Sequence, residues 1–219
     1  AYLGDHHGFD FLIEPGKALD PNKYFIVATD MFQNGLSSSP SNTPAPYDGP
    51  NFPLISIRDN VKAGHKLLTE EFGVKKIKSV VGFSMGAQQA FQWGVSYPYF
   101  VEKIVGIAGS AVEYPHGIVR LEGFIAAIKA DQDFNEGQYT SPPKIGLRAG
   151  GAHWASWGWS QEWFRLGLYE EMGLNSTDEV IKWFEEFVLT WDANNLIALA
   201  KTWQNNNIGN TPGFDGDYT

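Results

Sequence analysis

A serine with a glycine two residues away on either side, Gly82-Phe83-Ser84-Met85-Gly86, is the strongest chemical signal in the chain. A serine hydroxyl can attack an ester or thioester carbonyl when a base takes its proton. The flanks fit that use. Lys76 to Phe83 (Lys-Ile-Lys-Ser-Val-Val-Gly-Phe) predicts a strand running into the serine, and Met85 to Tyr97 predicts a helix running out of it, stopped by Pro98. So sharp a strand-to-helix turn presses backbone on backbone, and the two glycines relieve the clash. The turn would lift the Ser84 hydroxyl above the carboxyl edge of a sheet, where open α/β folds bind ligands. The Met85 N–H, at the helix N-terminus, would then face a developing oxyanion. The bland alternative is a glycine-rich helix cap with a structural serine.

The elements that must hold this turn are visible around it. Lys23 to Asp30 (Lys-Tyr-Phe-Ile-Val-Ala-Thr-Asp) predicts a buried strand. A Gly, Ser, Pro and Asn-rich loop fills 33–53, and a helix follows with Ile57, Val61, Gly64, Leu67, Leu68 and Phe72 on one face, ended by Gly73. After the serine helix, Lys103 to Ala108 predicts another strand. Alternating apolar strands and helices imply a parallel sheet covered on both faces. Beyond Ser110 the strand signals stop and helical spacing takes over: Ile118-Leu121-Ile125-Ile128, Glu162-Phe164-Leu168, Val180-Trp183-Phe184-Phe187, Leu196-Leu199-Trp203.

Composition removes whole classes of function. Across 219 residues, 43% are hydrophobic and 19% charged, too apolar for a disordered chain. With 16 Lys and Arg against 25 Asp and Glu the net charge is −9, which argues against nucleic acid or an anionic membrane as partner. No apolar run reaches the length of a membrane span. There is no cysteine, hence no thiol catalysis, no Cys-ligated zinc and no disulfide; a reducing cytoplasm is the expected compartment.

Gly82 to Gln89, then Trp93 and Tyr97-Pro98, resembles the nucleophile elbow and following helix of the homoserine O-acetyltransferase group within the α/β-hydrolase superfamily. Phe52-Pro53 with Ile57-Arg58-Asp59, and Asp192-Ala193-Asn194, resemble further segments of that group, and Ala1-Tyr2-Leu3-Gly4-Asp5-His6-His7 is similar to its oxyanion loop. The resemblance implies an α/β-hydrolase fold with a helical lid. Residues 1–112 would be a partial core with the elbow, 113–210 the lid, and 211–219 a return toward the core. It implies Ser84 as nucleophile, and the backbone N–H groups of Met85 and Tyr2 as the oxyanion hole. For an acceptor carboxylate it requires an arginine, with Arg148, Arg165 and Arg120 as candidates and Arg148 preferred. Two departures, Ala87 where the group usually has glycine and the large Phe83, favour a hydrolase on the same scaffold.

Serine needs a base, and the base a carboxylate to orient it. After Ser84 the only histidines are His116 and His153, both in the helical half. The expectation is therefore that the triad Asp and His lie beyond Thr219, that the first strands precede Ala1, and that the sequence is the middle of a larger protein. The in-chain alternative pairs Ser84 with His153 and Asp131 or Asp133. His6 and His7 beside Asp5 lack metal-ligand spacing, so no metal is expected.

Six of the eight tryptophans fall between 154 and 191. Trp183 and Trp191 lie at helical spacing with Phe184 and Phe187 and are expected to pack lid helices. His153 to Trp159 is less periodic, so Trp154 and Trp157 are candidates to line the acyl pocket; an exposed aromatic lid could also join two copies in a homodimer. The expected function is hydrolysis of a small ester or thioester through an acyl-serine, with no cofactor. Acetyl transfer from acetyl-CoA to homoserine or a similar hydroxyl is the second expectation. A non-catalytic binding or structural protein is the third.

Overall fold

The computed structural model describes residues 2–218. Ala1, the first residue of the expected oxyanion loop, lies outside the described residues, as does Thr219. The chain divides into two compact units, one of Ala1–Ser39, Pro53–Tyr114 and Lys201–Thr219, the other of Pro40–Phe52 and Pro115–Ala200.

The first unit is built on a strand–helix–strand crossover. β1 (Val80–Phe83) and β2 (Ile104–Ile107) pair in parallel with Val80 opposite Ile104 and Phe83 opposite Ile107. A parallel pair needs a crossover, and α2 (Met85–Ser96) supplies it. Ahead of β1, α1 (Ile57–Lys66) starts on a capping box: Ser56 Oγ accepts from the Asp59 N–H while Asp59 accepts from the Ser56 N–H. α1 runs into one π turn, Leu67–Glu71, and the chain leaves through Gly73 at φ 62°, a left-handed turn suited to glycine. Val61, Leu68, Trp93 and Val101 form the buried cluster between these elements.

Two expectations change here. Lys23 to Asp30 is not a buried strand: it forms no ladder, and Phe25 and Tyr24 are 72% and 45% exposed. A strand exists only through a neighbour's N–H and C=O groups, and among the described residues none pairs with this segment. The sheet is also not covered on both faces, since Ile104, Val105 and Ile107 each stand about 40% exposed.

The second unit is helical, as the spacing predicts: α3 (Pro115–Lys129), α4 (Lys144–Ala155), α5 (Gln161–Arg165), α6 (Thr177–Val188) and α7 (Ala193–Gln204), whose last residues from Lys201 count with the first unit. Leu121, Phe124, Ile125 and Ile128 bury one side of α3. α4 meets its neighbours through glycines. A Cβ on Gly146 would lie 2.4 Å from the Ile128 carbonyl oxygen, and one on Gly151 2.7 Å from that of Phe184. The Asp192-Ala193-Asn194 segment ties the start of α7 down: Tyr139 Oη donates to Asp192 at 2.7 Å, and Asn194 Nδ2 donates to the Gly137 carbonyl at 2.9 Å. Among the described residues no helix is long and apolar enough to cross a membrane.

Candidate active site

A single residue, Ser84, separates the end of β1 from the start of α2. It sits at φ 54°, ψ −122°, a conformation a non-glycine residue adopts at a cost of about 1–3 kcal/mol. Its backbone is fully engaged. The Ser84 N–H donates to the Ile107 carbonyl at 2.8 Å, and the Ser84 carbonyl accepts from the Ala87 and Gln88 N–H groups at 2.9 and 3.3 Å. Strand pairing on one side and the first helical turn on the other thus hold the strain in place.

The glycine pattern has the predicted cause. A Cβ on Gly82 would lie 1.9 Å from the Gly86 carbonyl oxygen. A third glycine, Gly109, was not signalled by the motif; a Cβ there would meet the Ala87 Cβ at 2.5 Å and the Ser84 carbonyl oxygen at 2.6 Å. Its only sequence trace is its place just past the end of β2, the strand that pairs with the one leading to the serine.

A serine at the N-cap of a helix ordinarily turns its hydroxyl back onto the first free N–H groups. Ser84 does not: its side chain makes no cap hydrogen bond and stands half-buried. The Ser84 hydroxyl therefore does not cap α2. Met85, wholly buried, is the first residue of α2, where a backbone N–H has no partner within its helix.

Tyr2 is 2% exposed, its ring 5.5 Å from the Trp203 ring, and burial pushes its phenol well above the ordinary range. Trp203 Nε1 donates to Glu113 Oε2 at 2.6 Å, and Gln88 Nε2 donates to the same oxygen at 3.1 Å. Sequence reasoning missed this cluster, because Gln88, Glu113 and Trp203 are far apart in the chain and Glu113, which joins the other two, belongs to no motif.

Other histidines of this unit are engaged elsewhere. His6 presents both its N–H (3.0 Å) and Nδ1 (2.8 Å) to the Asp30 carboxylate, and His7 Nδ1 meets Asp10 at 2.7 Å, which raises the His7 pKa. His65 stacks flat on Tyr97 at 3.8 Å. Among the described residues no group of three or more His, Cys, Asp or Glu could hold a metal.

In the helical unit, Arg148 is exposed and bridges Glu186 at 2.8 Å and Glu185 at 3.5 Å. Arg165 pairs with Glu162, and the Arg120 guanidinium lies 3.6 Å over the Trp157 ring. Trp154 is buried, edge-on to Phe124 at 5.1 Å and 4.1 Å from Trp157. Trp183 stacks on Phe187 at 5.5 Å, as its spacing predicts, yet stays 39% exposed. The Asp131 carboxylate accepts from the Gly146 and Asp133 N–H groups, whereas His153 Nε2 meets the Arg120 carbonyl. Those two side chains do not form the acid–base pair of an in-chain triad.

The family model described as alpha/beta hydrolase fold matches residues 2–140. The chain belongs to the alpha/beta hydrolase family. The ethyl acetate hydrolase of Pseudomonas veronii is 40% identical over 206 residues, covering 93% of this chain and 59% of that protein. The crystal structure of the acetyl esterase MekB superimposes with a TM-score of 0.94 at 38% identity, over 98% of this chain and 63% of that one. A homoserine O-acetyltransferase of Methanosalsum zhilinae is 42% identical over 146 residues, 64% of this chain and 29% of that enzyme. This alpha/beta hydrolase chain thus spans about three-fifths of the length of its hydrolase relatives.

Proposed function

We propose that this chain carries the nucleophile and oxyanion hole of a serine-dependent hydrolase of small esters that works through an acyl-serine. The observation that carries the proposal is Ser84, strained at φ 54° between β1 and α2 with its hydroxyl unspent on the helix cap. Strain of this kind persists only where the surrounding structure over-determines it, and such residues cluster at active sites.

In the first step Ser84 Oγ bonds to the ester carbonyl carbon, its proton passes to a histidine base, and the carbonyl π pair moves onto oxygen. The Met85 and Tyr2 N–H groups donate to that oxyanion. When the carbonyl re-forms, the alcohol leaves with the proton from the imidazolium. Water repeats the attack on the acyl-serine and releases the carboxylic acid. The base and its carboxylate are assigned to residues outside 1–219. In support, His6, His7, His65 and His153 each have another partner, His116 stands exposed as the second residue of α3, and the relatives are longer than this chain. A cytoplasmic location, no cofactor, and a homodimer through the helical unit belong to the same proposal.

The ethyl acetate hydrolase and acetyl esterase relatives support a short acyl group, acetyl above all. The 42% match to a homoserine O-acetyltransferase supports a second reading, acetyl transfer from acetyl-CoA as co-substrate to homoserine. Against it, Arg148, the cation expected to grip the acceptor carboxylate, is committed to Glu186 and Glu185. The test is to supply the intact protein with ethyl acetate, and separately with acetyl-CoA with and without homoserine. Acetate release from the ester with no homoserine present supports the hydrolase. Homoserine-dependent release of CoA, without ester hydrolysis, replaces it with the transferase.

A further inference from the structure

We propose that Glu113 is a positioning residue of this site, its carboxylate holding together the helix that follows Ser84 and the aromatic contact that backs the Tyr2 segment. The proposal rests on the assignment of Ser84, Met85 and Tyr2 made above.

One oxygen of Glu113 receives both donors. Gln88 reaches it from α2 at 3.1 Å and Trp203 from α7 at 2.6 Å. Gln88 lies one turn beyond Ser84, is 1% exposed, and returns its own N–H to the Ser84 carbonyl. The Trp203 indole, 8% exposed, packs against the buried Tyr2 ring. Tyr2, Trp203, Glu113, Gln88 and Ser84 therefore form one continuous chain of contacts. Tyr2, at one end, carries one of the amides assigned to the oxyanion hole; Ser84, at the other, directly precedes Met85, which carries the second.

The backbone fixes the carboxylate. The Glu113 N–H donates to the Asn206 carbonyl at 2.8 Å, the Ile208 N–H donates to Ala111 at 3.1 Å, and Val112 bridges Asn207 in antiparallel fashion. Hydrogen bonds to a carboxylate are about twice as strong as neutral ones, and both donors here, Gln88 and Trp203, are themselves buried. Oxyanion donors act only at about 2.7–3.1 Å from the charge that develops, so a brace that sets the spacing of two amides from separate segments acts on the transition state more than on substrate binding.

The test uses the intact protein and three variants. Trp203→Phe removes the indole N–H and keeps a ring against Tyr2. Glu113→Ala removes both acceptor oxygens. Glu113→Gln keeps an acceptor oxygen and serves as rescue. Hydrolysis of p-nitrophenyl acetate is measured per active serine, counted with a fluorophosphonate, together with inhibition by a trifluoromethyl ketone, whose hemiketal oxyanion occupies the hole. Trp203→Phe and Glu113→Ala are expected to lower kcat by about tenfold or more with KM within about threefold, and to weaken the ketone by a similar factor. Glu113→Gln is expected to return within about threefold of the parent. Unchanged kcat per serine, or a change in KM alone, overturns the proposal. If Glu113→Ala fails to fold, Trp203→Phe decides by the same criteria. Full activity in Ser84→Ala overturns the acyl-serine assignment and this proposal with it. An inert Ser84→Ala beside a fully active Trp203→Phe overturns the brace alone.

Discussion

A Cβ built on Gly82 would stand 1.9 Å from the carbonyl oxygen of Gly86, so the last turn of strand and the first turn of helix touch backbone to backbone around Ser84. Any side chain on Gly82 must push β1 and α2 apart. Gly82→Ala is expected to destabilise the protein by about 3 kcal/mol, in the range of severe overpacking. Gly8→Ala is the control: a Cβ there meets nothing within 4 Å and is expected to cost under about 0.5 kcal/mol. Urea unfolding of the two variants measures the difference, and equal midpoints would refute the contact.

Arg148 is exposed, and both of its partners are glutamates of α6. Exposed ion pairs contribute little, so Arg148→Ala is expected to change stability by less than about 1 kcal/mol. For an ester hydrolase without an acceptor carboxylate, it is also expected to leave ester turnover within about twofold. Steady-state kinetics on ethyl acetate checks this; a large loss would show that Arg148 leaves its glutamates to hold substrate.

Local chemistry was legible in the sequence and distant chemistry was not. The Ser84 turn could be read because its glycines, strand and helix are contiguous and each has its own period. The faces of α3 and α6 were legible for the same reason. Lys23 to Asp30 misled because an apolar run reports a preference for burial, while a strand requires a neighbour that the run does not specify. Glu113 gave no signal at all: its donors lie 25 residues before it and 90 after it, and only folding brings them to one oxygen. Gly109 falls between these cases, a close approach whose partner, the Ser84 backbone, is in another element.

Asp131 is buried and accepts from two backbone N–H groups, Gly146 at 2.8 Å and Asp133 at 3.0 Å. The Gly146 N–H chiefly holds its carboxyl below the usual range. Asp131→Asn can satisfy only one of these donors, and is expected to cost about 1–3 kcal/mol. A depressed carboxyl stabilises the fold above its unfolded pKa of about 3.9, and that contribution disappears as pH falls through the lower folded value. The stability difference between parent and variant should therefore narrow in acid. A difference that persists unchanged to the lowest pH would contradict the assignment.

His65 stacks on Tyr97 with 5° between the planes, and burial lowers its pKa. The folded chain then resists the proton that the unfolded chain accepts, so stability falls as pH drops from about 6.5 toward the lowered folded value. His65→Phe keeps the stack and removes the proton. Its thermal midpoint is expected to vary less than the parent's between about pH 7.5 and pH 5. Identical pH dependence in the two proteins would show that other groups govern this range.

Covalent labelling of the nucleophile is the most direct measurement. The intact protein is treated with a fluorophosphonate, digested, and the modified peptide located by mass spectrometry, with Ser84→Ala in parallel. Ser84 as the acyl acceptor predicts one adduct on the peptide that contains it, loss of ester hydrolysis in proportion to labelling, and neither adduct nor activity in Ser84→Ala. An adduct on another residue, or full ester hydrolysis by Ser84→Ala, would contradict it.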